Sequence, residues 1–277
     1  VLENPNRYQS EPDIEVYRLV LLMLRSDDAT GYQATKNYLF AQAGQFAFGE
    51  LQNIFNYLQN FCVSQINRGQ EGYLSELFQL YQYQLEHGLL FDEGILHEWH
   101  YKNLVAVGIR LREMDWVRRF IEDYKSRLQP AIAENAYCFN LASYYFDQCQ
   151  LDQVLELLTR VEYTDPNYQL ESKVLLLRTY FDLEEYEALF SLTDSFRQLL
   201  QRNKLLSENR KLGYFNLLKF TKSLARIRSG MGFARDMKGL ANLQKLRADF
   251  AATPNTFLSG WLRQKMDLTE NEFSTRQ

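Results

Sequence analysis

The sequence predicts an all-α protein: a right-handed α-solenoid of antiparallel helix pairs, about thirteen helices long, ended by a closing helix. Three observations carry this expectation. Leucine outnumbers valine plus isoleucine by 44 to 18, and helices favour leucine where strands favour β-branched residues. Glycine (13) and proline (5) are too sparse in 277 residues for turn-rich β architecture. Apolar residues recur at helical period along the chain, and one block of sequence repeats after 35 residues.

Each element has its own local signal. Ser10-Glu11-Pro12-Asp13 supplies an N-cap, a proline in the first turn and an acid at N3, which starts a helix over 11–25. Ser26-Asp27-Asp28 breaks it, and helices follow at 28–43 and 47–68, the second ended by Gly69-Gln70-Glu71-Gly72. Gly88 stops a helix at 72–87, and the periodicity then places helices at 93–112 and 115–127. Gln129-Pro130 opens 131–147, which is followed by 151–163; Asp165-Pro166 precedes 168–183 and 185–201. The segment 202–250 forms a basic pair, 207–228 and 235–250, divided at Ser229-Gly230-Met231-Gly232. Thr253-Pro254 starts the closing helix 254–267, with an apolar stripe of Phe257, Leu258, Trp261 and Leu262. Residues 269–277 read as a polar tail, which leaves 1–268 as a single solenoid domain.

The repeat is explicit at 145–155 and 180–190. Tyr145-Phe146-Asp147 recurs as Tyr180-Phe181-Asp182, and Leu151, Val154 and Leu155 align with Tyr186, Leu189 and Phe190. A period in the thirties signals helix pairs that bury their apolar faces only by stacking. Leu141, Ala142 and Tyr145, then Leu151, Val154, Leu158, Val161 and Pro166, resemble one unit of the tetratricopeptide (TPR) family. Leu176, Leu177, Tyr180, Leu183, Tyr186 and Leu189 resemble the next, and Leu104 to Ser126, with Trp116, a weaker one before them. The resemblance is clearest over 131–201 and departs from the family in the first helix, where Ala142 and Leu177 replace the usual Gly, and in the second, where Val154 and Leu189 replace the usual small residue. The phrasing of 115–228 is also similar to a bacterial group of TPR-like proteins. The resemblance implies a protein-binding module with a concave groove, and it places Tyr145 and Tyr180 in the core of their units.

Other classes lack their signatures. No run reaches the roughly 18 apolar residues of a membrane span, and Val1-Leu2-Glu3-Asn4-Pro5 is not a signal peptide. The missing initiator Met reads as a processed product or a piece of a longer protein. Cys62, Cys138 and Cys149 are odd in number and lack C-x-x-C spacing, which points to free thiols in a reducing compartment and a cytoplasmic location. There is no G-x-S-x-G, P-loop or G-x-G-x-x-G, so no catalytic residue and no cofactor is expected. Glu93, His97 and His100 stand at i, i+4 and i+7, which on one helix face could meet a metal; surface or groove histidines are the plainer reading, and no metal site is assigned.

Two features suggest a partner site. By the resemblance, Phe146, Asp147, Phe181 and Asp182 line the groove as a short ladder, joined by Arg178 one turn before Asp182. The alternative is that the rings are core and the acids bond to turns. Further along, twelve Lys/Arg against two acids between Arg202 and Arg247 give that segment a net +10, so the remainder carries −14. Lys211, Lys219, Lys222 and Arg226 are expected to share a helix face able to meet an anionic surface. The leading expectation is therefore a non-enzymatic scaffold that holds a partner peptide or helix. The alternative is nucleic-acid or other anionic-partner binding through 202–247, against which the pI of 5.6 weighs.

Overall fold

A computed structural model describes residues 11–161, 166–230 and 236–275. Ser10, Asp165, Met231, Gly232 and Arg235, which mark expected caps, breaks and starts, lie outside the described residues, as do Arg276 and Gln277 of the expected tail. The described residues are helical apart from one two-stranded hairpin. Their contacts sort into two compact units, Val1–Gln148 and Cys149–Gln277. The expectation from sequence is one domain over 1–268, and the division falls inside the expected repeat unit 131–163.

The first unit holds α1 (Pro12–Ser26), α2 (Ala29–Gln42), α3 (Phe48–Asn67), α4 (Tyr73–Glu86), α5 (Glu98–Arg110), α6 (Met114–Tyr124) and α7 (Pro130–Asp147). Pro12 sits in the first turn of α1, and the Asp28 carboxylate caps α2 by accepting from the Gly31 N–H at 2.7 Å. Helices α1 and α2, α3 and α4, and α5 and α6 pack on one another, and α7 packs on α5 and α6. Tyr32, Phe55, Leu80, Tyr101 and Ile121 are buried in this unit, and the Tyr101 hydroxyl donates to the Ile121 carbonyl at 2.7 Å.

The helix expected at 93–112 begins later, at Glu98. Residues 91–96 form an antiparallel hairpin, β1 (Phe91–Asp92) with β2 (Ile95–Leu96), pairing Phe91 with Leu96 and Asp92 with Ile95. Glu93 (φ 48°) and Gly94 (φ 82°) both take the left-handed conformation that a two-residue hairpin turn of this kind requires. The turn separates Glu93 from α5, where His97 is the N-cap and His100 lies in the first turn. The helix face that would have gathered Glu93, His97 and His100 therefore does not form, and no metal-holding group of three such side chains is found among the described residues.

The second unit holds α8 (Leu151–Thr159), α9 (Pro166–Asp182), α10 (Tyr186–Arg202), α11 (Glu208–Ser229), α12 (Asp236–Ala252) and α13 (Ser259–Thr275). Each packs on the next, and α11 also touches α13. One apolar cluster joins Leu177 and Phe181 of α9, Phe196 of α10, Leu217, Phe220 and Leu224 of α11, Leu243 of α12, and Leu262, Met266 and Phe273 of α13.

The last helix corrects two expectations. It spans Ser259–Thr275 instead of 254–267, and 269–275 are helix instead of a tail. Residues before it stay out of the helix, with Asn255 (φ 51°) and Leu258 (φ 52°) left-handed, and their backbone is used elsewhere: the Asn216 side chain donates to the carbonyls of Pro254 (3.2 Å) and Asn255 (3.1 Å), and the Phe257 N–H donates to the Gly213 carbonyl. Thr269 (0% exposed) and Phe273 (1%) continue the buried stripe of Leu262 and Met266. A Cβ on Gly239 would come within 2.6 Å of the Phe273 ring, so only glycine admits that ring at this contact.

The repeat is visible in the backbone. Helices α5 and α6, α7 and α8, and α9 and α10 are joined by three-residue linkers, 111–113, 148–150 and 183–185. The middle residue of each, Arg112, Cys149 and Glu184, is left-handed at φ 64°, 56° and 59°. At α5 and α9 the following amides close back on the helix, Glu113 to Gly108 and Glu185 to Tyr180, which satisfies carbonyls that a helix end otherwise leaves open.

Candidate anion-binding site

The aromatic–acidic ladder expected from the repeat is not an open surface. Phe181 is 2% exposed, set edge-on to Trp261 with ring centres 5.4 Å apart. Asp182 pairs with Lys265 at 2.6 Å. In the first unit Phe146 is half-buried at the end of α7, and Asp147 pairs with Arg112. The two aspartates thus share one logic: a carboxylate at a helix C-terminus meets an unfavourable dipole, and a cation from a neighbouring element offsets it. Arg178 places its guanidinium 5.9 Å from the centre of the Trp261 ring. Tyr145 and Tyr180, expected in the core, are half-buried, and the Tyr145 hydroxyl accepts from Arg118 at 2.8 Å.

Part of the basic segment is likewise committed. Arg228 donates to Glu184 at 2.7 Å and Glu272 at 3.0 Å. Burial alone would lower its pKa, but the Glu184 carboxylate and the Tyr186 hydroxyl hold it above the usual arginine value. Arg247 pairs with Asp267 and, at 2.9 Å, with Glu270. Lys211 pairs with Glu208 at 2.7 Å, its side chain 13% exposed. It stands off the expected stripe because eight residues turn a helix about 80° past full rotations.

Three basic residues of this segment gather in one place, while Arg202, Lys204, Arg210, Lys238 and Lys245 are exposed elsewhere. Phe215, Lys219, Lys222 and Arg226 recur at i, i+4, i+7 and i+11 on α11, opposite the face that buries Leu217, Phe220 and Leu224. From α10, Asp194 and Arg197 face them across a hollow of about 260 Å³, whose wall also includes the Ser223 hydroxyl. Lys222 pairs with Asp194 at 2.6 Å. Arg197, Lys219 and Arg226 have no ion-pair partner among the described residues. Arg197 lies over the Phe215 ring at 5.7 Å, and Lys222 and Arg226 lie over Phe190, each at 5.9 Å. Both rings pack against the buried cluster, so they give the cations a fixed floor.

The structure therefore brings together three of the four basic residues expected on one face and adds Arg197 and Asp194. In sequence Asp194 and Arg197 read as a local pair at i, i+3; the partner that Asp194 takes is 28 residues away, which no local pattern reports. Four cations around one carboxylate can hold an anion of more than one charge. No helix among the described residues is long and apolar enough to cross a membrane. No known protein family, curated protein or solved structure matches the chain.

Proposed function

We propose that this chain is a non-enzymatic interaction scaffold that holds an anionic segment of a partner protein in the hollow between α10 and α11. In this reading the helices form a TPR-like, right-handed solenoid of antiparallel pairs, and the three-residue linkers with their left-handed centres are the local support for that repeat. The single observation that carries the proposal is the group of Arg197, Lys219 and Arg226, without an ion-pair partner among the described residues and set around one hollow with Lys222. Unpaired like charges held together repel, and a bound anion relieves this.

The test is a titration of the chain with a pool of acidic peptides at several salt concentrations. Binding is expected to weaken with salt and to be lost in the Lys219→Glu, Arg226→Glu double variant. Equal binding by that variant would contradict the site.

Nucleic acid is the second reading, favoured by the twelve Lys/Arg between Arg202 and Arg247. It is the weaker one, because Lys211, Arg228 and Arg247 serve internal ion pairs and the hollow gathers only Lys219, Lys222 and Arg226 of the twelve.

A further inference from the structure

We infer that the α10–α11 hollow recognises a phosphoryl group on a partner protein's side chain, a specificity that rests on the reading of this hollow as the partner site. The charge count points first to a dianion. Four cations line the hollow against one carboxylate, and Asp194 already neutralises Lys222. A partner Asp or Glu would bring one charge and two oxygens to a place where three unpaired cations converge. A phosphorylated serine or threonine brings nearly two charges and three strong acceptor oxygens.

The donor set points the same way. Arg197 and Arg226 carry planar forks suited to paired bonds with phosphoryl oxygens. Phe215 and Phe190 hold these two guanidinium groups at 5.7 Å and 5.9 Å before any ligand arrives. Little side-chain freedom is then lost on binding. Lys219, whose ammonium lies 4.9 Å from the centre of the Phe220 ring, and Ser223 complete the donor set.

Size separates a protein from a polynucleotide. The row from Lys219 to Arg226 is about 10 Å long at the helical rise, enough for one phosphoryl group. Beyond it Lys211, Arg228 and Arg247 are paired, the exposed Arg202, Lys204, Arg210, Lys238 and Lys245 lie outside the hollow, and the chain as a whole carries −4. A strand of successive phosphates would place only one of them in the hollow.

The experiment titrates the full chain, by fluorescence anisotropy, with three degenerate peptide pools that differ only in a central phosphoserine, glutamate or serine. A short single-stranded oligonucleotide is the fourth probe. The phosphoserine pool is expected to bind at least about tenfold more tightly than the glutamate pool, since it adds charge-assisted bonds. That advantage should shrink as pH falls from about 7.5 to 5.5, because the phosphate takes up its second proton near pH ~6. The groups facing the hollow are Asp194, Arg197, Lys219, Lys222 and Arg226, with no histidine among them, so the change belongs to the ligand. Lys219→Glu with Arg226→Glu should abolish binding with the helical circular dichroism unchanged. Lys245→Glu, exposed on α12 and outside the hollow, should leave binding intact. Equal affinity for the phosphoserine and glutamate pools would overturn phosphoryl recognition and leave the anionic-scaffold proposal standing. No binding of any peptide would overturn both. Tighter binding of the oligonucleotide than of the phosphoserine pool would assign the hollow to nucleic acid and overturn this inference.

Discussion

Phe181 illustrates what a single residue's pattern can and cannot tell. Its helical spacing and its recurrence with Phe146 are plain in the sequence, and the same spacing suits a groove or a core. The decision comes from Trp261 of α13, 80 positions later, which covers the ring. Phe181→Ala should therefore lower stability by about 3–5 kcal/mol, as emptying a core aromatic site does, read from chemical denaturation. An unchanged midpoint would return Phe181 to the surface. His100 carries a pH prediction. Burial, and then the neighbouring His97 charge, lower its pKa below the usual histidine value, and its Nδ1 is buried without a hydrogen-bond partner among the described residues. A depressed folded value means that the unfolded chain binds the proton first. The contribution of His100 is thus complete above the unfolded pKa of about 6.5 and is lost as pH falls below it. The denaturation midpoint should drop between about pH 7.5 and 5.5, and drop less in His100→Leu; equal drops would exclude His100 as the cause.

At the scale of elements, helices with caps or strong periodicity were legible, and the misses have local physical causes. The hairpin at 91–96 hid in a helical pattern because its signal is two residues, Glu93-Gly94. The closing helix starts later than expected: Thr253-Pro254 looks like a start, while Asn216, from another helix, holds that backbone out of helical form. Its end was missed because Phe273 is one apolar residue in a polar run. The linkers themselves were legible as breaks, 148–150 as expected, but not their left-handed centres, because Arg112, Cys149 and Glu184 stand where glycine usually marks that position. This gives a direct test. Cys149 is exposed at φ 56°. Cys149→Gly should stabilise the chain by about 0.5–1 kcal/mol through relief of that conformation, measured by urea denaturation. A loss of stability would mean that the thiol makes a contact that outweighs the strain.

Across the whole molecule, charge divides as the contacts do. Residues 1–148 carry 12 Lys/Arg against 19 Asp/Glu, and 149–277 carry 19 against 16. The basic segment was legible in sequence as a block of +10, but the block overstated the free charge. Acids from α10, α13 and the α9–α10 linker neutralise Lys222, Arg228 and Arg247 of it, and only packing in three dimensions reveals which cations gather at one place. Lys219, Lys222 and Arg226 were therefore identified from helical spacing, whereas Arg197 emerged only when α10 packed beside α11. The measurement that bears most directly on this account is hydrogen–deuterium exchange of the full chain with and without an anionic peptide at saturating concentration. The account predicts added protection in peptides from 186–229, which span α10 and α11, and little change elsewhere. Protection centred on 130–182, or none at a concentration where the peptide is bound, would contradict it.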